Sequence, residues 1–244
     1  MPVFPRAGQL VHPLFIFANP MEDEAPPDPD AENVVYFGPG IHEPGEMYVD
    51  DPLPDGTEVY IDGGAYVIGF LKFEANAEVT IRGRGVLSGV TYPWVPTWSN
   101  HLIEIQGGAP GGPVVIEGIV ITDSPKSNII SRPQTTVDNV KILGWHRNTD
   151  GMTVGAGSRV TNSFFKVYDD IIKLFYDDIE VNGVTIWLQP TGSAFQLSWN
   201  LNRGVSGAMN SSMGWYATLG SVELIPKSTS WSSPHILHFV LRRR

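Results

Sequence analysis

Ile81-Arg82-Gly83-Arg84-Gly85-Val86-Leu87, Ile116-Glu117-Gly118-Ile119-Val120-Ile121, Ile142-Leu143-Gly144-Trp145, Val160-Thr161-Asn162-Ser163-Phe164-Phe165 and Val181-Asn182-Gly183-Val184-Thr185-Ile186 are five versions of one phrase. Each has an apolar residue, a short polar or Gly/Asn bend, and renewed alternation. With Gly118, Gly144, Ser163 and Gly183 as the bends, the steps are 26, 19 and 20 residues. A βαβ crossover followed by another strand needs ~30 residues or more, so these steps are too short for it. They suit one coil of a parallel β-helix, whose short strands stack about 4.8 Å apart. The expected fold is therefore all-β, a solenoid, with the aromatic stretch Thr91 to Asn100 a loop inserted into one coil. An antiparallel sandwich has no reason to repeat at this interval.

Outward from the repeat, Val34 to Phe37 reads as a strand, followed by alternating segments around Met47-Tyr48-Val49, Glu58 to Ile61 and Ala65 to Ile68. Leu14-Phe15-Ile16-Phe17-Ala18 reads as a short buried strand. The acidic, Pro-rich run from Asn19 to Asn33 reads as an exposed, irregular connector. This divides the chain into 1–33, a strand plus connector; 34–227, the parallel β-helix; and 228–244, a tail whose composition is unlike another coil.

A chain of 244 residues is expected to form one large domain. Its net charge of −10 repels a phosphate backbone, and Arg242, Arg243 and Arg244 read as a solvated tail, so nucleic acid is not an expected partner. There are no cysteines, which excludes disulfides, thiol catalysis and Cys-ligated zinc. No apolar run reaches spanning length, so no membrane is expected. No signal peptide is visible, because Met1 to Leu10 lacks a charged region followed by an apolar one.

The chemistry points to Asn148-Thr149-Asp150-Gly151 and Tyr168-Asp169-Asp170. Asp150 lies six residues after Gly144 and Asp169 six after Ser163, so equal offsets put these carboxylates on adjacent coils, with Asp170 next to them. The same offset gives Ser124 and Gln189 as neutral flanks. Clustered carboxylates raise at least one pKa, and a protonated acid beside an ionised one is what glycosidic hydrolysis needs. Divalent metal binding is a competing use, and solvated turns are a third reading.

Aromatic residues favour a sugar ligand, because sugar C–H faces stack on rings: Tyr92, Trp94, Trp98, Trp145, Tyr168, Trp187 and Trp199 are the candidates. His146, Arg147 and Lys173 offer positive charge near the acids, as ligands or as structural ion pairs. Asp177 and Asp178 read as a solvated turn. No zinc-ligand spacing, phosphate loop, nucleophile elbow or dinucleotide fingerprint is present.

The Asn-Thr-Asp and Asp-Asp motifs resemble the active-site signature of right-handed parallel β-helix glycosidases, polygalacturonases among them. The Gly-His-Gly and Arg-Ile-Lys motifs of polygalacturonases are absent, which argues against pectin. With Tyr36-Phe37-Gly38-Pro39-Gly40, Asp62-Gly63-Gly64-Ala65-Tyr66-Val67 and Phe195-Gln196-Leu197-Ser198-Trp199-Asn200, the chain resembles glycoside hydrolase family 49, the dextranase and isopullulanase group, over roughly residues 14 to 200.

The resemblance implies a right-handed β-helix, here incomplete at both ends, with Leu14 to Ala18 the last strand of an N-terminal β-sandwich. It implies inverting hydrolysis of α-glucans, α-1,6 bonds of dextran first, by a monomer acting outside the cell without metal or other cofactor. Asp169 becomes the general acid, and Asp150 and Asp170 the pair that holds and activates water. Asn148, Trp145, Tyr168, Lys173, Gln196, Trp199, Tyr92 and Trp94 are the substrate-binding candidates. The alternatives are a polysaccharide-binding β-helix that does no chemistry, and a β-helix lyase acting on acidic polysaccharide with calcium.

Overall fold

The structure is a computed structural model that describes residues 14–73, 78–94, 101–106, 114–176, 178–189 and 191–196, with the backbone of three short segments beyond them. Short parallel strands stack into three ladders. The first runs Val34–Phe37, Glu58–Ile61, Val79–Gly83, Val114–Glu117, Thr135–Asp138, Arg159–Thr161 and the start of Glu180–Leu188. The second runs Gly40–Gly45, Ala65–Gly69, Val86–Ser88, Val120–Thr122, Lys141–Arg147, Phe164–Tyr168 and the end of Glu180–Leu188. The third runs Leu71–Phe73, Ile103–Ile105, Ile129–Ser131, Met152–Thr153, Ile172–Lys173 and Phe195–Gln196. This is the parallel β-solenoid that the repeat predicts. Among the described residues no helix is long and apolar enough to cross a membrane.

Register makes the core. Val59, Ile81, Ile116, Val137, Val160 and Val181 occupy one column of the first ladder and are all fully buried. Val67, Leu87, Ile121, Ile142, Phe165 and Ile186 form the second column, and Leu71, Ile103, Ile129, Met152 and Ile172 the third. Each such side chain contributes roughly 1.5–3 kcal/mol by leaving water, and its neighbours along the axis repeat the same geometry.

The corner between the first and second ladders needs a left-handed residue. Gly118, Asn139, Asn162 and Gly183 fill it, with φ of 78°, 53°, 50° and 66°. The N–H of each of the first three reaches the carbonyl just before the corresponding corner of the next coil. This corrects the phase read from the sequence. Gly144 lies inside the strand Lys141–Arg147, and Ser163 follows the corner, where its hydroxyl oxygen accepts the N–H of Val140 at 3.1 Å. Paired positions along the ladders after Gly118 are 20 to 23 residues apart, more even than the steps of 26, 19 and 20 read from the sequence. Met47–Asp50 is a helical turn instead of a strand.

Leu14 to Ala18 is extended but pairs with no ladder, and Leu14 and Ile16 are more than four-fifths exposed, so the buried-strand reading does not hold. The alternate residues face down. Phe15 packs on Phe164, Trp187 and Trp145, and Phe17 on Phe164. The connector continues across the coils as a strap. Lys141 Nζ donates to the Asn19 side chain and to the Asn139 carbonyl at 2.6 Å. Glu22 accepts from Tyr60 at 3.0 Å. Arg82 pairs with Glu58 at 2.7 Å and with Glu22 at 3.5 Å, and donates to the Ala25 carbonyl at 2.9 Å. The acidic connector is irregular, as its composition suggests, but Glu22, Asn19 and the Ala25 carbonyl tie it to the solenoid.

At the other end, His235–Arg242 lies antiparallel on Glu180–Leu188, from Val181 opposite Leu241 to Leu188 opposite His235. An incomplete solenoid would expose its last coil as an open edge, and this strand pairs with it and takes up backbone groups of that edge.

Two outcomes follow from the stacking. A Cβ on Gly151 would lie 2.1 Å from the Ile171 carbonyl oxygen of the next coil. Gly151→Ala is expected to lower stability by about 1–3 kcal/mol in urea unfolding, as overpacking does. Burial, reinforced by Arg84 and opposed by Asp138, lowers the Lys141 pKa to about 8. The folded chain therefore releases this proton near pH 8, whereas the unfolded chain holds it to about 10.5. Stability is expected to rise with pH across that window in the wild type relative to Lys141→Met, measured by urea unfolding of both at pH 7 and 10.

Candidate active site

The chain turns from the second ladder to the third at Asn148–Gly151 and again at Asp169–Ile171, one coil later. Asn148 adopts φ 57°, and the buried Thr149 hydroxyl donates to the His146 carbonyl at 2.6 Å, which shapes the turn and delivers Asp150. The two turns bring Asp150, Asp169 and Asp170 together, with one carboxylate oxygen from each within 4.8 Å of the others.

Register, however, pairs the acids differently from the equal-offset reading. Met152 is opposite Ile172, and the N–H of Gly151 donates to the carbonyl of Asp170 at 2.9 Å, so Asp150 stacks on Asp170 and Asp169 sits one place earlier. The same ladder of N–H donors, Leu102 to Ser127, Asn128 to Asp150 and Ile171 to Ser193, extends the column to His101, Ser127, Asp150, Asp170 and Ser193. The neutral flanks are thus Ser127 and Ser193, in place of Ser124 and Gln189. Ser127 donates its hydroxyl to Asp150 Oδ2 at 3.1 Å, and Ser193 donates its hydroxyl and N–H to Asp170 Oδ1 at 2.7 and 3.1 Å. Ser124 supports the flank indirectly by donating to the Ser127 carbonyl at 2.9 Å. Gln189 donates to the Trp187 carbonyl.

Lys173 is buried and places Nζ 3.3 Å from Asp150 Oδ1, so it acts on an acid of the cluster directly. Asp169 accepts the Asp170 N–H at 3.0 Å. Burial pushes the Asp169 carboxyl above its ordinary range, Asp150 and Asp170 push it the same way, and the Asp170 N–H and Lys173 pull it back. A carboxyl that keeps its proton longer, beside two others, is suited to giving that proton away. The same cluster offers oxygen ligands to a hard cation, with the Lys173 ammonium already against one of them.

The other predicted residues divide. Trp145 is 39% exposed, with the buried Lys166 ammonium 3.7 Å from its ring centroid and 5.0 Å from that of Tyr168. Burial lowers the Lys166 pKa to about 8, with Asp123 opposing. Trp145, Tyr168 and the exposed Asn148 flank the acid turns, and Gln196 stands opposite Lys173 on the next coil. Trp94 is 38% exposed and lies over Lys126, next to Ser127. Tyr92 is not brought to the acids; it packs on Phe70 at 4.5 Å between centroids. His146 and Arg147 are exposed. Trp98, Asp177 and Trp199 lie outside the described residues. Ser127, Ser193 and His101 were missed because single serines and a lone histidine gain meaning only from register.

No family model matches the chain. It is 25% identical over 232 residues to a dextranase of Arthrobacter sp. (strain CB-8), a match covering 82% of this chain and 36% of that protein. It is 25% identical over 233 residues to an isopullulanase of Aspergillus niger, covering 79% and 41%. Dex49A from Penicillium minioluteum superposes with a TM-score of 0.55 at 22% identity, over 70% of this chain and 34% of that one, and shares the fold. The chain thus spans between a third and a half of the length of these relatives. The chain is thus similar in sequence to dextranases and an isopullulanase, as its resemblance to glycoside hydrolase family 49 implies, and similar in fold to Dex49A.

Proposed function

We propose that this chain hydrolyses internal glycosidic bonds of an α-glucan, with the α-1,6 bonds of dextran the first candidates, on a polymer met outside the cell. The observation that carries this reading is the convergence of three carboxyls from two adjacent coils, one of them with its proton affinity raised by burial and by the other two. Asp169 is the general acid that protonates the departing oxygen. Asp150 and Asp170, stacked one on the other and each held by a serine, hold and activate the water. Lys173 orients Asp150. Trp145, Tyr168 and Trp94 offer ring faces to sugar, while Asn148 and Gln196 offer amides. The names of the relatives support the substrate class, since they are dextranases and an isopullulanase.

The spacing also favours a second reading. Nearest oxygens within 4.8 Å suit a nucleophilic carboxylate better than a pair of acids widely separated around a water. We retain single displacement because Asp150 and Asp170 occupy one column, where two carboxyls side by side share a water more readily than either reaches carbon alone. Following the anomer first released from dextran by NMR decides between them: β-configured ends support inversion, and α-configured ends establish retention. Absence of cleavage of dextran and pullulan overturns the hydrolase reading.

Asp169→Asn is expected to lower the hydrolysis rate by about 10²–10⁴-fold, measured as reducing ends released. The same substitution is expected to stabilise the fold at neutral pH. Because the Asp169 pKa is raised on folding, its ionisation opposes folding above the ordinary carboxylate value of 3.8. The gain should therefore vanish as pH falls below that value, as read from urea unfolding at pH 7 and pH 3.

A further inference from the structure

The column that carries Asp150 and Asp170 does not end at Ser127. One coil further back it contains His101, whose backbone neighbour Leu102 donates to the Ser127 carbonyl at 3.3 Å in the same pattern that joins the other coils. His101 is 7% exposed, and its Nδ1 has no hydrogen-bond partner among the described residues. A buried polar atom left without a partner is costly and calls for an explanation.

The position of the orphan is informative. Of the four buried side-chain atoms without a partner among the described residues, His101 Nδ1 lies in the acid column, Asn128 Oδ1 one position after it, and Gln196 Oε1 in the same ladder opposite Lys173. Asn128 already uses its amide nitrogen on the Asp150 carbonyl at 2.7 Å. Beside His101, the coil of Ser127 carries Lys126, whose ammonium lies 4.7 Å from the centroid of the Trp94 ring. An exposed indole, a cation beneath it and an unsatisfied imidazole nitrogen therefore lie on the N-terminal flank of the aspartates, in line with them along the axis. Burial lowers the His101 pKa, with Glu104 and Asp150 opposing and Lys126 and Lys173 adding to the shift. A neutral imidazole offers one donor and one acceptor, a match for a hydroxyl group.

We infer that His101 is a substrate-positioning residue that hydrogen-bonds a hydroxyl of a neutral hexose unit, with Trp94 stacking on the same stretch of polymer, at a position two coils from Asp150. Successive coils are about 4.8 Å apart, so a polymer lying along the axis of the solenoid passes His101 before or after it passes the acids. The inference rests on the α-glucan reading above and adds the direction in which the chain of sugars runs: along the column, towards the N-terminal coils.

The test uses the full chain with Asp169→Asn to block cleavage, labelled with ¹⁵N, and isomaltotriose as the probe. Imidazole proton–nitrogen spectra, assigned with His101→Gln, are expected to show the His101 ring nitrogens moving on addition of the sugar. His101→Ala is expected to weaken binding about fivefold to tenfold, the worth of a single neutral hydrogen bond. Binding of isomaltotriose with the His101 ring unmoved and the affinity of His101→Ala unchanged overturns the inference, and so does a lack of binding. Dextran hydrolysis by the wild type, run in parallel, separates the two failures. Cleavage with a silent His101 leaves the hydrolase reading standing, whereas a missing cleavage with a responsive His101 leaves a sugar-binding column without the proposed chemistry.

Discussion

Parallel backbone pairing from coil to coil is the constraint on which the rest of the molecule depends. Each strand satisfies its N–H and C=O groups through the coils on either side of it, so equivalent residues are held at strand spacing whether or not their side chains attract. Inside, this helps: Val59, Ile81, Ile116, Val137, Val160 and Val181 meet their like and exclude water together. Outside, the same rule acts on Asp150 and Asp170, which would separate if they were free to do so. The ladder through Met152 and Ile172 forces them together.

The rest of the site offsets that repulsion. Ser127 and Ser193 give hydrogen bonds to the stacked acids, and Lys173 supplies a buried positive charge at Asp150. Asp169 lies outside the column and takes the remaining stress as a raised proton affinity. A carboxyl with raised proton affinity is thus held in place by a scaffold whose apolar columns are stable enough to bear its cost. The nearby Lys166 shows the same frame holding a cation against two aromatic rings, with its proton affinity lowered by burial.

The all-β coil and its parallel stacking were legible in the sequence because apolar residues return after each bend, and a period near 20 residues leaves few architectures open. The aspartates were legible as a cluster, since two acidic motifs one coil apart meet in any register within a residue or so. The phase was not legible. Asn139 and Asn162 occupy the left-handed corner that glycine marks in other coils, so Gly144, a glycine inside a strand, took the place of a bend in the pattern. That slip selected Ser124 and Gln189 over Ser127 and Ser193, and paired Asp150 with Asp169 instead of Asp170. Leu14 and Ile16 misled for another reason: alternate apolar residues signal a strand, but here only the odd face is covered. Tyr92, a candidate for sugar contact, packs on Phe70, a neighbour that the sequence pattern did not reveal.

The strap changes the thermodynamic character of the solenoid. A stack of coils joined only to nearest neighbours behaves as a one-dimensional array, able to fray from an end one repeat at a time. Phe15 rests on strands late in the chain, and Asn19 holds Lys141, 122 positions away, while Glu22 and Ala25 hold Arg82 near the start. This thread couples coils that never touch. Loss of a terminal coil would therefore also loosen distant ones, so unfolding should become more nearly all-or-none, and the aspartates gain protection from fluctuations that begin at either end.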